Sequence, residues 1–371
     1  MTSAKETQTA LRPAERATLE LRGLYERFGY KKYRVSQFEE YGLYLQYQSF
    51  LPGGRMLTFT DLDGRLLALK PDVTISIIKN ARLPEGCTEK AYYIENVYRE
   101  SKTDGSFKEI SQMGLEYLGA IDDYAVAETL LLAQETLRCI GPAWLLEISH
   151  MGFVGGLFDA LGLGEEARRD VLESLTAKSR HGVGAAAQRA GLGKAGAAAL
   201  ETLCTLSGGF AETAAQAEKL CLSEKMRTAL QELKTAAAAL DDLEHVRLDF
   251  TLQGDMDYYD GVMMCGYLEG VPGPVLAGGR YDSLVKKLGK QAGAVGYALY
   301  LDELERLPVP KREYDVDVLL LAEKDADTAA LLREVRRLTA EGLRVRVEHT
   351  RPCELRCRRV CRFTKEGVSE C

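Results

Sequence analysis

Three short stretches bring together side chains able to hold a small charged molecule. In QMGLEYLG, residues 112–119, the strand period of two puts Gln112, Gly114 and Glu116 on one face and Met113, Leu115 and Tyr117 on the other. The first face offers an amide and a carboxylate with a glycine leaving space between them. In LKPDVTIS, Asp72 and Thr74 share a face by the same alternation. The stretch TLQGDMDYYDGVMMCGYL, residues 251–268, reads as strand, tight turn and strand, with Tyr258 and Tyr259 at the lip of a sheet. Two carboxylates, an amide, a hydroxyl and two phenols suit a small zwitterion with an ammonium group and a polar ring. Taken strand by strand, the plainer reading is a half-exposed sheet with a solvated polar face. The arm before the tyrosines, Leu252-Gln253-Gly254-Asp255, contains no cation for chemistry on an anionic substrate.

The elements that must position these residues follow from periodicity. Residues 13–29 have helical apolar spacing with Gly29 as C-cap. Strand-like runs come next: YKKYRVSQF, RMLTFTDLDGRLLALK with Asp63-Gly64 as its turn, AYYIENVYRE and KEISQMGLEYLG. A helix over 123–140 precedes the strand AWLLEISH. Strands joined by hairpins with few helices between them predict an α+β fold, an antiparallel sheet flanked by helices. From 152 to 240 the chain turns alanine- and leucine-rich without strand signal, which predicts a helical insertion between a first core half (1–151) and a second (241–308). Strands resume at HVRLDFTL, VMMCGYLEG and VLAGGRYDSLV, and a helix is expected from near Ala294. After the linker PVPKRE, residues 312–371 predict a small, abbreviated α/β domain: DVDVLLLAE, a helix over 325–341, and LRVRVEH.

Composition bounds the function. The 371 residues are 46% hydrophobic and 28% charged, which fits a globular protein of two or three domains. A net charge of −7 gives no help to a polyanionic partner, and nucleic-acid binding draws on clustered Lys and Arg. No apolar run approaches a membrane span, and MTSAKETQTALRPAER has no leader-like core, so a cytoplasmic protein is expected. Nine cysteines without a regular framework point to reduced thiols. Cys353, Cys357 and Cys361 recur every four residues, as on one helix face. No short Cys-x-x-Cys spacing accompanies them, so neither metal nor cofactor is expected.

Three pieces in order give the chain a resemblance to the class II aminoacyl-tRNA synthetases, in their histidyl branch. NVYRESKTDGSFKEISQMGLEYLG (96–119) is similar to motif 2, DMDYYDG with AGGRYDSLV to the two histidine-specific signatures, and AVGYALYLDELERL (294–307) to motif 3. The resemblance implies the class II fold and places Asp72, Thr74, Arg99, Gln112, Glu116, Tyr258, Tyr259 and Arg280 around a histidine-binding pocket. It also implies three arginines that hold phosphate charge during adenylation. Arg99 matches the first. The second falls on Gly254 and the third on Glu303. Tyr300 replaces a glycine beside the nucleotide, Ser36 stands at the proline of motif 1, and Glu100 follows Arg99 directly. Claiming Arg306 for motif 3 would move the side chain nearly a turn along the helix, to a different site.

A relative without aminoacylation activity is similar in all these respects: the regulatory subunit family of ATP phosphoribosyltransferase. That resemblance implies a non-catalytic homodimer within a hetero-oligomer, partnered with the short-form catalytic subunit in histidine biosynthesis, with histidine as allosteric effector. The alternatives are a divergent histidyl-tRNA synthetase that recruits other cations, and a free-standing amino-acid sensor or tRNA-binding relative. The altered arginine positions argue against the enzyme, and the acidic charge and short C-terminus against tRNA.

Overall fold

The structure, a computed structural model, describes residues 11–370 apart from 52–54, 85, 102–103, 253–257, 309–311 and 365–366. Two compact units make up the described chain, one spanning Ala17–Leu307 and one built on Pro308–Cys371.

The larger unit is organised on a nine-stranded sheet. Its spatial order runs Lys31–Lys32, Glu89–Glu100, Phe107–Gly119, Gly293–Tyr300, Leu276–Arg280, Val262–Leu268, Trp144–His150, Val246–Asp249, Ser207–Gly209. All pairings are antiparallel except Lys31–Lys32 on Glu89–Glu100 and Trp144–His150 on Val246–Asp249, so the expected antiparallel sheet is mixed at both margins. The two long strands form one hairpin in which Gly114 faces Tyr93 and Glu116 faces Ala91.

One face of the sheet is covered by helices. Asp123–Ile140 starts on an N-cap, where Asp122 accepts the Ala125 N–H, and buries Val126, Leu130, Ala133 and Leu137 along one stripe. Burying each such leucine stabilises the fold by roughly 1.5–3 kcal/mol. The absence of a side chain at Gly266 lets Leu137 reach the strand, because a Cβ there would lie 2.8 Å from its methyls. Met151–Ala160 and Glu224–Ala237 pack in the same region. The opposite face carries a core of Tyr44, Phe50, Leu51, Ile75, Ile78, Tyr93 and Tyr281.

Several expectations need correction. Asp72 and Thr74 do not lie on one strand: Leu66–Leu69 ends before them, and Thr74–Asn80 is a helix whose Ile75 N–H is accepted by Asp72 Oδ1 at 3.0 Å. No helix begins near Ala294. Gly293–Tyr300 is a strand, followed by the single turn Leu301–Leu304. YKKYRVSQF contributes only Lys31–Lys32 and the first residue of Phe38–Glu40. No strand begins at residue 251: Val246–Asp249 ends before it, the Asp249 carboxylate caps a turn by accepting the Thr251 N–H and hydroxyl, and residues 253–257 of that reading lie outside the described residues. The insertion contains one strand, Ser207–Gly209, at the sheet edge. The Asp63-Gly64 turn is present: Asp61 Oδ1 accepts the N–H groups of Asp63 and Arg65, and Gly64 takes φ +81°.

The second unit is a four-stranded sheet in the order Val345–Glu348, Val316–Ala322, Cys357–Thr364, Gly367–Glu370, with helix Thr328–Ala340 packed on Val318 and Leu320. Cys357 and Cys361 lie on a strand rather than a helix, because parallel pairing with Val316–Ala322 continues the sheet, and Cys361 is buried. Cys87, Cys139, Cys204, Cys221, Cys265, Cys353 and Cys357 are free thiols, and no cluster of metal-ligating side chains occurs among the described residues. No described helix is long and apolar enough to cross a membrane.

Candidate functional site

The sheet face opposite helix Asp123–Ile140 opens into a cavity of about 350 Å³ within the larger unit. Cross-strand register builds its floor. Gln112, Gly114 and Glu116 lie beside Tyr300, Ala298 and Gly296 of the neighbouring strand, and Ala298 lies beside Ala277. Glycines decide which side chains fit. A Cβ at Gly114 would collide with the Tyr93 ring, so that glycine leaves no empty space; it seats a tyrosine from the paired strand. A Cβ at Gly296 would collide with the Glu116 carboxylate.

Glu116 is 2% exposed. Thr74 Oγ1 donates to its Oε1 at 2.7 Å, and the Tyr281 hydroxyl donates to its Oε2. Both bonds favour the ionised form, but burial outweighs them and pushes the carboxyl up to about 8, with a smaller contribution from Asp72. Asp72 is also pushed up by burial, and Arg99 opposes that shift from 3.6 Å. Arg99 itself is spoken for: Nε donates to the Pro71 carbonyl at 2.8 Å, and the guanidinium bonds the Tyr300 hydroxyl. Gln112 Nε2 is buried with no hydrogen-bond partner among the described residues, a donor presented to the cavity.

Aromatic rings form the wall. Tyr258 packs edge-on against Tyr259 at 4.7 Å and lies 5.5 Å from Tyr281 and 6.4 Å from Phe50. Burial raises all three phenols well above their ordinary range, so they are neutral donors and acceptors at physiological pH.

Seven of the eight residues read from the sequence therefore converge: Asp72, Thr74, Arg99, Gln112, Glu116, Tyr258 and Tyr259 all line the cavity. Arg280 does not. Gly279 lies under the Tyr259 ring, so the next residue, Arg280, projects to the other face and pairs with Asp282 and Glu232. Sequence reading missed Tyr93, Tyr281 and Phe50. Tyr281 was legible as the residue after Arg280 in AGGRYDSLV, whereas Tyr93 needed the cross-strand register. Gly254 and Asp257 lie outside the described residues. Glu303 is on the turn Leu301–Leu304, paired with Arg306 at 3.0 Å, and neither lines the cavity.

The raised carboxyl gives a first expected outcome. Glu116 binds its proton more tightly folded than unfolded, so the stability it contributes is present below its ordinary 4.5 and is lost as pH rises through about 8. Glu116→Gln keeps an acceptor without the charge. In thermal scans it should raise Tm over the parent at pH 8.5 and differ little at pH 5, and an equal effect at both would refute the buried-charge account.

Comparison with known proteins places this geometry. A family model described as histidyl-tRNA synthetase matches residues 7–304. A protein of Symbiobacterium thermophilum named ATP phosphoribosyltransferase regulatory subunit is 33% identical over 78% of this chain and 75% of its own length. The chain belongs to the ATP phosphoribosyltransferase regulatory subunit family. A solved regulatory subunit/histidyl-tRNA synthetase structure from Bacillus halodurans superposes with a TM-score of 0.75 at 25% identity, covering 94% of this chain and 90% of that one. A chain of the ATP phosphoribosyltransferase complex from Thermotoga maritima shares the fold, with a TM-score of 0.61 at 18% identity over 76% of this chain and 96% of that one. The class II synthetase-like fold is thus the fold of this regulatory-subunit family.

Proposed function

We propose that this chain is a non-catalytic subunit that supports a short-form ATP phosphoribosyltransferase catalytic subunit in the first step of histidine biosynthesis, and that its cavity takes histidine as the effector. The observation that carries this reading is the combination in one cavity of a complete set of groups for a small zwitterion with an arginine already engaged by the protein itself. Asp72, Gln112, Glu116 and the tyrosines line that cavity. Arg99 is tied to Pro71, Asp72 and Tyr300, and Glu303 stands where the synthetase pattern calls for a cation. Burial supports one change to the expected pose, in which Asp72 and Glu116 share the ammonium. Glu116 is uncharged below about pH 8, which matches a ring nitrogen better than an ammonium. Asp72 then holds the ammonium, and Gln112 Nε2 donates to the ligand carboxylate.

The test is reconstitution. Added to the short catalytic subunit, the full chain should raise its phosphoribosyl transfer, and histidine should lower the activity of the mixture more than that of the catalytic subunit alone. No gain on mixing would refute the partnership. The homodimer is supported by exposed apolar side chains in and beside the motif 1 region: Leu19, Phe38, Leu45, Phe59, Leu62 and Leu66, with Phe38 and Phe59 edge-to-face at 5.5 Å. Light scattering should give twice the chain mass at micromolar concentration, and a stable monomer would count against it.

A further inference from the structure

Arg280 stands on the reverse face of the sheet from the cavity, yet it touches both chain segments that carry the tyrosine wall. Its Nε and Nη2 donate to Asp282 at 3.0 and 2.8 Å, and Nη1 lies 3.6 Å from Glu232. Its carbonyl accepts the Asp260 N–H at 3.0 Å, and its stem covers Gly261, where a Cβ would lie 2.7 Å from Arg280 Cδ. Asp260 in turn accepts the N–H groups of Asp282 and Ser283, and Asp282 accepts that of Ala294. Tyr258 and Tyr259 precede this knot and Tyr281 sits inside it.

The far end of the arrangement belongs to another element. Glu232 is on helix Glu224–Ala237, and its second oxygen lies 3.4 Å from Nε2 of His150. His150 is 6% exposed, and its Nδ1 accepts the Gly152 N–H, which leaves the ring proton on Nε2 toward Glu232. Glu232 thus ties the helix to the tyrosine-bearing segments through Arg280, and it lies against the imidazole of His150 at the end of the strand Trp144–His150.

We propose that Arg280 and Glu232 are positioning residues: their ion pair fixes Tyr258 and Tyr281 from behind and couples occupancy of the cavity to helix Glu224–Ala237. The proposal rests on the histidine reading of the cavity for its ligand. A ligand shifts the helix only by its difference in affinity for two arrangements. Drawing Tyr258 and Tyr281 onto a ring displaces the backbone of Asp260 and Asp282, and Arg280 must then follow or release Glu232.

Two measurements on the full chain test this. Calorimetric titration with L-histidine should show Arg280→Met about tenfold weaker than the parent and Arg280→Lys within about threefold, in the range for residues that act on a site through intervening packing. Without ligand, hydrogen exchange should reveal reciprocity: Arg280→Met speeds exchange in helix Glu224–Ala237, and Glu232→Gln speeds exchange at the Asp282 and Ser283 amides. Parent-like affinity in Arg280→Met, or exchange altered only on the mutated side, overturns the proposal. If the parent chain itself fails to bind histidine, the ligand reading falls, and the exchange data alone decide the coupling.

Discussion

Glu116→Ala is expected to weaken histidine binding about tenfold or more, since it leaves the ligand's ring nitrogen buried without a hydrogen-bond partner, at a cost of about 1–3 kcal/mol. The residue sits at the centre of the site. It is held by Thr74 and Tyr281 and it fits only because Gly296 lies beneath it. Removing the carboxyl also leaves two buried donors without an acceptor, at a cost of about 1–3 kcal/mol each. Because Glu116 is buried, its loss touches the fold as well as the ligand. Glu116→Gln, which keeps an acceptor, separates the two effects: it should fold well and still bind histidine more weakly. Inhibition of the reconstituted complex is the decisive measurement, because an effector site could instead form between subunits. Unchanged inhibition in Glu116→Gln and Asp72→Ala complexes would remove histidine from this cavity while leaving the regulatory role standing.

Histidine-dependent exchange of pyrophosphate into ATP is expected to stay at the level of a no-protein control. Losing one preorganised partner of a developing charge costs ~2.7–4 kcal/mol, a factor of about 10²–10³ in rate. By the resemblance to the synthetase motifs, Gly254 and Glu303 fall at two such positions, and the second carries the wrong sign. Arg99, the third, lies against Asp72 and Tyr300 rather than free to meet a phosphate. Restoring arginine at both positions need not recover exchange while Tyr300 remains. A clear exchange signal from the parent chain would return it to the synthetases.

Much of this was legible in the residues. The strand period placed Gln112 and Glu116 together, and their face is the cavity floor. Asp72 and Thr74 both line the cavity, but not by strand alternation: the strand Leu66–Leu69 ends before them, and Asp72 accepts the Ile75 N–H at the start of the helix that carries Thr74. Periodicity could not tell the buried strand Gly293–Tyr300 from a helix, because a run packed on both faces loses its alternation. The four-residue recurrence of Cys357 and Cys361 fits one face of a strand as well as one of a helix, and only the parallel pairing decides. Arg280 was misplaced by a single residue of register, which on a strand reverses the face. What no local pattern contains is the pairing of Tyr93 with Gly114, since it depends on how a hairpin closes.

The tyrosine wall has an optical consequence. The chain has one tryptophan and eighteen tyrosines. Trp144 packs on His245, with ring centroids 4.8 Å apart, and does not line the cavity, whereas Tyr93, Tyr258, Tyr259, Tyr281 and Tyr300 do. Tryptophan emission will therefore stay nearly constant through a histidine titration, and the phenol bands near 280 nm will carry the signal. The molecule holds its own reporter and its own internal reference, on different strands.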